Sequence, residues 1–250
     1  MTIDATKRVK EIVVEAPSSV RVFETLGIDY CCGADQPLGD ACRNAGHPVD
    51  EVLRSLEEAE RSSSADSPAM HWNEESLASL ADHIVATHHS FCRQEVSRLS
   101  ALLKKVIEKH GDNHPELRRI GTLFAGLSNE LLMHLIKEEQ MLFPYIARLE
   151  EAVTHNTSFP RPPFGTVQNP VRMMVLEHDQ AGEQLKEIHR LSNGYEPPPD
   201  ACDSFKALYQ GLRSFEEDMH QHVHLENNLL FPRAVAIEDS AYSSGRTAGS

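Results

Sequence analysis

The chain has 250 residues, and its 24 Lys and Arg against 38 Asp and Glu give a formal net charge of −14. This negative charge repels nucleic-acid phosphates and anionic membranes, so nucleic acids and membrane surfaces are excluded as expected partners. The sequence contains neither the roughly 18 uninterrupted apolar residues of a membrane helix nor the apolar core of a signal peptide. Five cysteines make an odd number that does not suggest a secreted disulfide framework. We therefore expect a cytoplasmic protein with reduced thiols.

The first part of the chain predicts a small helical domain over residues 1–60. Short helical patterns alternate there with turn signals, and the segment 16–19 can open a helix that Gly27 closes. The next residues, 61–72, are rich in serine and poor in bulky apolar side chains, which is typical of a flexible linker. We place the domain boundary there.

Residues 73–238 predict an antiparallel four-helix bundle, which makes the protein all-α. From Asn73, whose side chain suits an N-cap, apolar residues recur at helical spacing as far as the breaker-rich segment 110–116. Short turns within each pair of helices make the bundle antiparallel. The other three helices are predicted at about 115–150, 169–192 and 201–237.

An internal repeat lies in the second and fourth of these helices. The segments HLIKEEQMLFPYIA from His134 and HVHLENNLLFPRAV from His222 share a histidine, a glutamate four residues later, and Leu-Phe-Pro after that. In a helix, positions i and i+4 lie on one face, so His134 with Glu138, and His222 with Glu226, present an imidazole and a carboxylate to one point. Bundle metal sites use this arrangement.

Three further expectations concern the surroundings of the repeat. Since proline cannot donate a backbone hydrogen bond, Pro144 and Pro232 should mark where their helices weaken or end. Residues 239–250 predict a disordered tail. The methionines near the repeat are expected in the core, namely Met133, Met141, Met173 and Met174.

Partner histidines can be found by hairpin arithmetic, because an antiparallel pair aligns residues equidistant from its turn. The midpoint of His89 and His134 is 111.5, in the first turn, and the midpoint of His178 and His222 is 200, in the second. The spacings of 45 and 44 residues also agree. Four imidazoles and two carboxylates thus meet at one level, a donor set that suits iron, manganese or zinc and, with two shared carboxylates, a dinuclear site.

Other histidines compete for these positions with different strength. His88 lies only about 100° around the helix and about 1.5 Å along it from His89, so the helical register favours His89 weakly. His83 is a weaker competitor. His110 lies 21 residues from His89, or roughly 31 Å along a helix, and cannot share one site with it.

Two acidic residues stand beside the predicted ligands. Glu130 precedes His134 by one turn, and Glu177 precedes His178 directly. Ligating histidines commonly donate their second N–H to a carboxylate, so these residues can support the ligands or line an access channel. The alternative is that both are ordinary surface acids.

The duplicated motif in a bundle resembles the hemerythrin-like proteins, which hold a carboxylate-bridged pair of iron ions. The resemblance implies two iron ions, with Glu138 and Glu226 as bridges and the four histidines found above as terminal ligands. Hemerythrins proper have a fifth histidine and an aspartate bridge, so the chain is expected in another branch.

The adjacent cysteines Cys31 and Cys32, in the segment DYCCGA ahead of this bundle, narrow the resemblance. The combination is similar to the iron-sulfur cluster repair di-iron (RIC) family over nearly the whole chain. The resemblance implies repair of iron-sulfur proteins damaged by nitrosative or oxidative stress, with iron donation as the means. It also implies nitric oxide or O2 as small ligands, nitric oxide reduction as a second, enzymatic activity, and a homodimer. The thiols can relay electrons or transfer iron, or can form a structural pair.

Two other functions stay open from the sequence. One is a hemerythrin-type protein that binds or senses O2 or nitric oxide without turnover. The other is a di-iron oxidase, against which the histidine-rich donor set argues, because oxygen-activating sites usually employ more carboxylates. The N-terminal cysteine domain favours repair.

Overall fold

The structure, a computed structural model, describes residues 3–66, 72–158 and 161–243. Every regular element in these ranges is a helix, so the predictions of an all-α chain and a four-helix bundle are confirmed. The first four helices are short and belong to the N-terminal part. They are α1 (Val9–Glu15), α2 (Ser19–Leu26), α3 (Leu38–Ala45) and α4 (Val49–Asp66).

The N-terminal helices enclose an apolar core of their own. Its largest side chains are those of Phe23 and Tyr30, which are both at most 1% exposed. Helix α2 is closed by Gly27 in the left-handed conformation (φ 61°), as its position after Leu26 predicts. Helix α4 continues to Asp66, so the first residues of the predicted linker 61–72 are helical. The rest of that prediction, before Trp72, lies outside the described residues.

Four long helices form the bundle, and three of them contain a π-helical turn. Helix α5 consists of Leu77–Ile84, the π turn Val85–His89 and Ser90–His110. Helix α6 consists of Glu116–Lys137, the π turn Glu138–Leu142 and Phe143–Thr154. Helix α7 is Gln168–Leu191, and α8 consists of Asp203–His224, the π turn Leu225–Leu230 and Phe231–Ser243.

The π turns explain what happens at Pro144 and Pro232, where the sequence predicts that the helices weaken or end: each helix is irregular directly before its proline and does not end there. Helices α6 and α8 do not end at Pro144 and Pro232 but continue beyond them by more than two turns. The residue before each proline donates its N–H five residues back, Phe143 to the Glu138 carbonyl and Phe231 to that of Glu226. Each proline is the second residue of the α-helical segment that follows the π turn. As in the first turn of a helix, no backbone N–H is needed at that position, so the missing N–H of proline costs no hydrogen bond. Helix α8 extends to Ser243, so the first residues of the predicted tail 239–250 are helical, and its last seven residues lie outside the described ranges.

Two expectations are wrong. The N-cap of α5 is Ser76, whose hydroxyl accepts the Ser79 N–H at 3.0 Å, while Asn73 instead donates its side-chain amide to the Val14 carbonyl. Of the four methionines expected in the core, Met174 is buried, but the other three are exposed on α6 and α7. They are Met133, Met141 and Met173.

The bundle core is divided into two apolar clusters. One surrounds Phe124, Phe205 and Phe215 toward the α5–α6 and α7–α8 turns, and the other surrounds Ile146 and Phe231 toward the opposite end. Between them lies a layer of buried histidines and glutamates. The apolar clusters exclude water from this layer on both sides.

A buried carboxylate ties the far end of the bundle together. Glu238 of α8 is 2% exposed and accepts the Val167 N–H at the start of α7, at 2.9 and 3.0 Å, and the Tyr145 hydroxyl of α6. The start of α5 is held similarly, because Glu150 accepts the Leu77 N–H at 2.7 Å. These contacts fix the helix ends that flank the polar layer.

We predict that Glu238→Ala lowers the free energy of unfolding by about 2–3 kcal/mol, because it leaves a buried amide and a buried hydroxyl without their acceptor. Urea unfolding followed by circular dichroism measures the change. Asp239→Ala, at an exposed neighbouring position, is the matched control and should change stability by less than about 0.5 kcal/mol. Equal stability of the two variants would contradict this role of Glu238.

Candidate metal centre

The polar layer contains all six residues that the repeat and the hairpin arithmetic singled out. Each is at most 4% exposed. Three of the four bundle helices place their residues at or beside a π turn: His89 ends the first, Glu138 begins the second and Glu226 is the second residue of the third. π turns are frequent at functional sites, since the extra residue turns neighbouring side chains toward a common point. His134, His178 and His222 complete the set.

The four imidazoles meet in two pairs. The Nε2 atoms of His89 and His222 are 3.2 Å apart, and those of His134 and His178 are 3.0 Å apart. Each pair joins one histidine of the repeat to one found by the hairpin arithmetic. Nitrogen atoms that converge in this way on a buried point are placed as metal ligands are.

Each glutamate reaches one imidazole of both pairs. Glu138 lies with one oxygen 3.5 Å from His89 Nε2 and the other 3.2 Å from His134 Nε2. Glu226 lies likewise 3.0 Å from His222 Nε2 and 3.1 Å from His178 Nε2. The two carboxylates therefore span the gap between the pairs.

The donor atoms fit two metal ions. They form two groups that share both glutamates, one with His89 and His222 and the other with His134 and His178, and the atoms in each group lie within 4.8 Å of one another. Both oxygens of Glu138 and one of Glu226 are buried without a hydrogen-bond partner. A buried carboxylate without a partner is costly, and a cation removes that cost.

The imidazoles lower the pKa of both carboxylates. Burial by itself would raise the pKa of Glu226, but the imidazoles of His222, His178 and His89 outweigh it and hold this pKa well below its usual value. Burial and Glu226 likewise raise the pKa of Glu138, while His134 and His89 lower it, and the balance is a lowered pKa. Attraction to the imidazoles thus exceeds the desolvation of two neighbouring anions.

Three of the imidazoles are oriented by a partner on their other nitrogen. The Nδ1 atom of His134 lies 2.8 Å from Glu177, as the pairing of ligand histidines with carboxylates suggests. Sequence reasoning missed the other two partners, Glu139 on His89 at 2.7 Å and Asn227 on His178 at 2.9 Å. The signal was present, because Glu139 and Asn227 occupy the same position of the repeat, directly after each glutamate.

The competing histidines lie elsewhere. His88 is buried, but its Nδ1 lies 2.9 Å from Asp218, and its ring stacks on that of His222 from outside the layer. His83 stacks on Trp72. His110 lies at the turn end of the bundle, with its Nε2 atom 3.2 Å from the sulfur of Cys202.

A cavity of about 380 Å³ connects the layer to the surface between α6 and α7. It reaches His134, His178 and His222 and is lined near its opening by Glu130, Lys137 and Glu177. Glu177 binds the Lys137 ammonium as well as His134, whereas Glu130 accepts the Gln184 amide at 2.8 Å. Both acids predicted beside the ligands thus line this opening, and Glu177 also contacts a ligand imidazole.

The adjacent cysteines lie against the bundle, close to the layer. Asp29 accepts the backbone N–H groups of Cys31 and Cys32 at 3.2 and 3.1 Å, and the two sulfurs are 3.8 Å apart. The Cys32 thiol donates to the backbone carbonyl of His178 at 3.7 Å. The Cys32 sulfur and burial both raise the pKa of Cys31 well above its usual value. All five cysteines of the chain are free thiols.

Comparison with known families agrees with this geometry. The model of the hemerythrin HHE cation binding domain matches residues 80–234, more than half of the chain. The chain belongs to the hemerythrin HHE family. Residues 5–60 match a second model, a domain of unknown function (DUF542). Within the described residues, no helix has both the length and the apolar character needed to cross a membrane.

Full-length relatives place the chain in a particular branch of that family. It is 33% identical over 231 residues to a probable iron-sulfur cluster repair protein of Haemophilus influenzae, covering 92% of this chain and 97% of the relative. It is also 33% identical over 228 residues to the iron-sulfur cluster repair protein YtfE of Pectobacterium atrosepticum, and 34% identical over 230 residues to that of Escherichia coli, each covering 91% of this chain and 96% of the relative. The resemblance to the repair-protein family is thereby confirmed.

The geometry predicts different results for the two adjacent histidines of α5. His89→Leu should remove at least half of the bound metal, because the His89 Nε2 atom faces both glutamates, whereas His88→Leu should retain it. Metal content per chain, measured by elemental analysis after loading with iron under anaerobic conditions, distinguishes them. Far-UV circular dichroism checks that both variants are folded. Loss of metal in His88→Leu alone would reverse the assignment.

Proposed function

We propose that this protein binds two iron ions in the polar layer and repairs iron-sulfur clusters damaged by nitrosative or oxidative stress in the cytoplasm. One observation carries the iron site, namely that each of two buried glutamates reaches one imidazole of both histidine pairs. The repair activity is supported by relatives that match nearly the whole chain and bear that name.

The proposed ligand set assigns a role to each side chain. Glu138 and Glu226 would contribute to holding both ions, with His89 and His222 completing the donor set of one and His134 and His178 that of the other. Glu139, Glu177 and Asn227 hold three of these rings by their Nδ1 atoms and so fix the direction of each Nε2 atom.

Iron held in this way supplies both a redox-active pair and a source of exchangeable metal. With six protein side chains for two ions, the protein leaves room for small ligands such as nitric oxide or O2, which the 380 Å³ cavity can admit. The opening carries Glu130 and Glu177 together with Lys137, so two carboxylates against one ammonium leave it negative, which suits a passing cation. Iron donation through this opening is the repair step we propose, and nitric oxide reduction remains a prediction of the family resemblance.

The cysteine pair is proposed to serve the same centre. Cys32 contacts the backbone of a proposed ligand, His178, so a change in the thiols acts on a residue that positions the metal. The free state of both cysteines suits an iron acceptor or an electron relay in a reducing compartment.

The ligand assignment predicts two iron ions per chain in the loaded protein. Glu138→Leu should lose most of this iron, because both ions share that carboxylate, and His222→Leu should lose about half or more. His110→Leu is the control and should keep both ions, since His110 lies at the turn end of the bundle. Iron is measured by elemental analysis together with the ultraviolet absorption of the loaded centre. Unchanged iron in both ligand variants would refute the assignment.

The repair function is tested with a four-iron cluster enzyme inactivated by nitric oxide. Iron-loaded protein should restore its activity faster than the same amount of free ferrous iron with reductant, because the protein delivers iron directly. A Cys31→Ser/Cys32→Ser double variant with normal iron content should restore it several-fold more slowly. If free iron succeeds and the loaded protein does not, the repair proposal fails, and an O2- or nitric-oxide-binding protein without turnover becomes the better description.

A further inference from the structure

The Nδ1 atoms of the four ligand imidazoles are supported unequally. Those of His89 and His134 each contact a carboxylate, and that of His178 contacts a neutral amide. The Nδ1 atom of His222 is buried, and no group among the described residues forms a hydrogen bond with it. In the proposed ligand set, the ion held by His89 and His222 therefore has one supported imidazole, whereas the other ion has two.

The single support of that ion continues to a surface arginine, Arg93. The Oε1 atom of Glu139 lies 2.7 Å from His89 Nδ1 and 2.8 Å from Arg93 Nη2, so one oxygen contacts both groups. His89 and Arg93 are one helical turn apart on α5, and Glu139 belongs to the π turn of α6. Arg93, Glu139 and His89 thus form a chain of polar contacts from the surface to the layer.

Glu139 needs a second partner to keep this position. Its side chain is 27% exposed, while that of His89 is fully buried. A long carboxylate side chain at the surface can turn toward water, and the buried imidazole N–H would then lose its acceptor. The Arg93 guanidinium attracts the carboxylate and favours the conformer that reaches His89.

The other supporting carboxylate has the same arrangement. Glu177 lies with Oε2 2.8 Å from His134 Nδ1, and its other oxygen binds the Lys137 ammonium. Lys137 follows His134 by three residues, as Arg93 follows His89 by four, and each carboxylate comes from the neighbouring helix. The recurrence of a cation at both carboxylates indicates that the cation belongs to the support of the ligand.

We propose that Arg93 is a positioning residue of the metal centre, which holds Glu139 against His89 and thereby slows the release of the ion held by His89 and His222. This inference rests on the proposed function and deepens it, because it names a residue outside the ligand set that affects one ion. The other ion keeps both of its supported imidazoles without Arg93, so only one of the two should respond to its loss.

The alternative is that Arg93 forms an ordinary surface ion pair. Such pairs contribute little to folding stability, so this alternative predicts almost no effect when Arg93 is replaced. Helix α5 offers a matched control in Arg98, whose side chain is 48% exposed, against 38% for Arg93. Arg98 pairs with Glu95 within its own helix. The two arginines thus differ mainly in the carboxylate that each one contacts.

The test compares the full-length, iron-loaded wild type with Arg93→Gln and measures iron release to an excess of a ferrous chelator under anaerobic conditions. Glutamine keeps the helix preference of arginine and removes its charge. Loss of a group that supports a ligand typically weakens metal binding by roughly tenfold to hundredfold. Since Arg93 acts through Glu139, we expect the lower limit, with one ion per chain released about tenfold faster. The release of the second ion should not change.

Three further variants separate positioning from a merely structural role. Arg98→Gln should release both ions as the wild type does. Arg93→Lys restores the positive charge and should return most of the wild-type release rate. Glu139→Gln should accelerate release at least as much as Arg93→Gln, and the two changes combined should act no more strongly than Glu139→Gln alone, because Arg93 acts through this carboxylate. Far-UV circular dichroism checks that every variant is folded.

Equal release by the wild type and Arg93→Gln would overturn the inference. Equal acceleration of both ions, the same acceleration in Arg98→Gln, or additive effects of Arg93→Gln and Glu139→Gln would also overturn it. If the wild type holds two ions but does not reactivate a damaged cluster enzyme, the repair proposal fails alone, and the release rates still decide about Arg93. A wild type that retains no iron would refute the iron site and this inference together.

Discussion

Two carboxylates, Glu138 and Glu226, are buried side by side in the middle of an apolar bundle, and the rest of the site is arranged around this constraint. Two anions side by side in a low-dielectric interior repel each other and lose their hydration. Four imidazoles that converge on them supply the compensating contacts, and buried oxygens of both carboxylates are still without a hydrogen-bond partner. Protein groups alone satisfy only part of the hydrogen-bonding capacity of these carboxylates. Their remaining oxygens are therefore suited to bind cations.

The same constraint acts on the helices that carry the layer. The π turns in α5, α6 and α8 occur at the level of the ligands, and in two of them the backbone carbonyl of the ligand glutamate accepts the i→i+5 hydrogen bond. The Phe-Pro pair that follows each glutamate in the repeat is thereby part of the site, since it allows the helix to continue after the widened turn. The helix ends beyond the layer are tied by Glu238 and Glu150, so the segments on either side of the layer are held in place.

The metal layer has different neighbours on its different sides. On one side the small domain brings Cys32 to the backbone of His178, and between α6 and α7 a cavity opens to the surface beside exposed methionines. The proposed iron exchange and the thiol pair therefore both meet on helix α7. One helix that contacts both the metal layer and the cysteines offers a short physical connection between them.

The sequence by itself determined the bundle, the two His-x-x-x-Glu motifs and, through hairpin arithmetic, the histidines that face them. These follow from helix periodicity and from the turns, both of which are local properties of the chain. The choice of His89 over His88 needed the π turn, which depends on packing between helices and shifts the helical register by a residue. The partners Glu139 and Asn227 were visible in the repeat only once the orientation of the rings was known.

Tertiary structure alone decided the rest. Methionine is apolar, as core residues usually are. Three methionines are nevertheless exposed, because α6 and α7 turn their other faces toward the layer: Met133, Met141 and Met173. The position of Cys31 and Cys32 against His178 joins residues almost 150 positions apart, and no local pattern carries such a distance. The types and the spacing of the side chains determine what they can bind, whereas the packing of the helices determines what each side chain contacts.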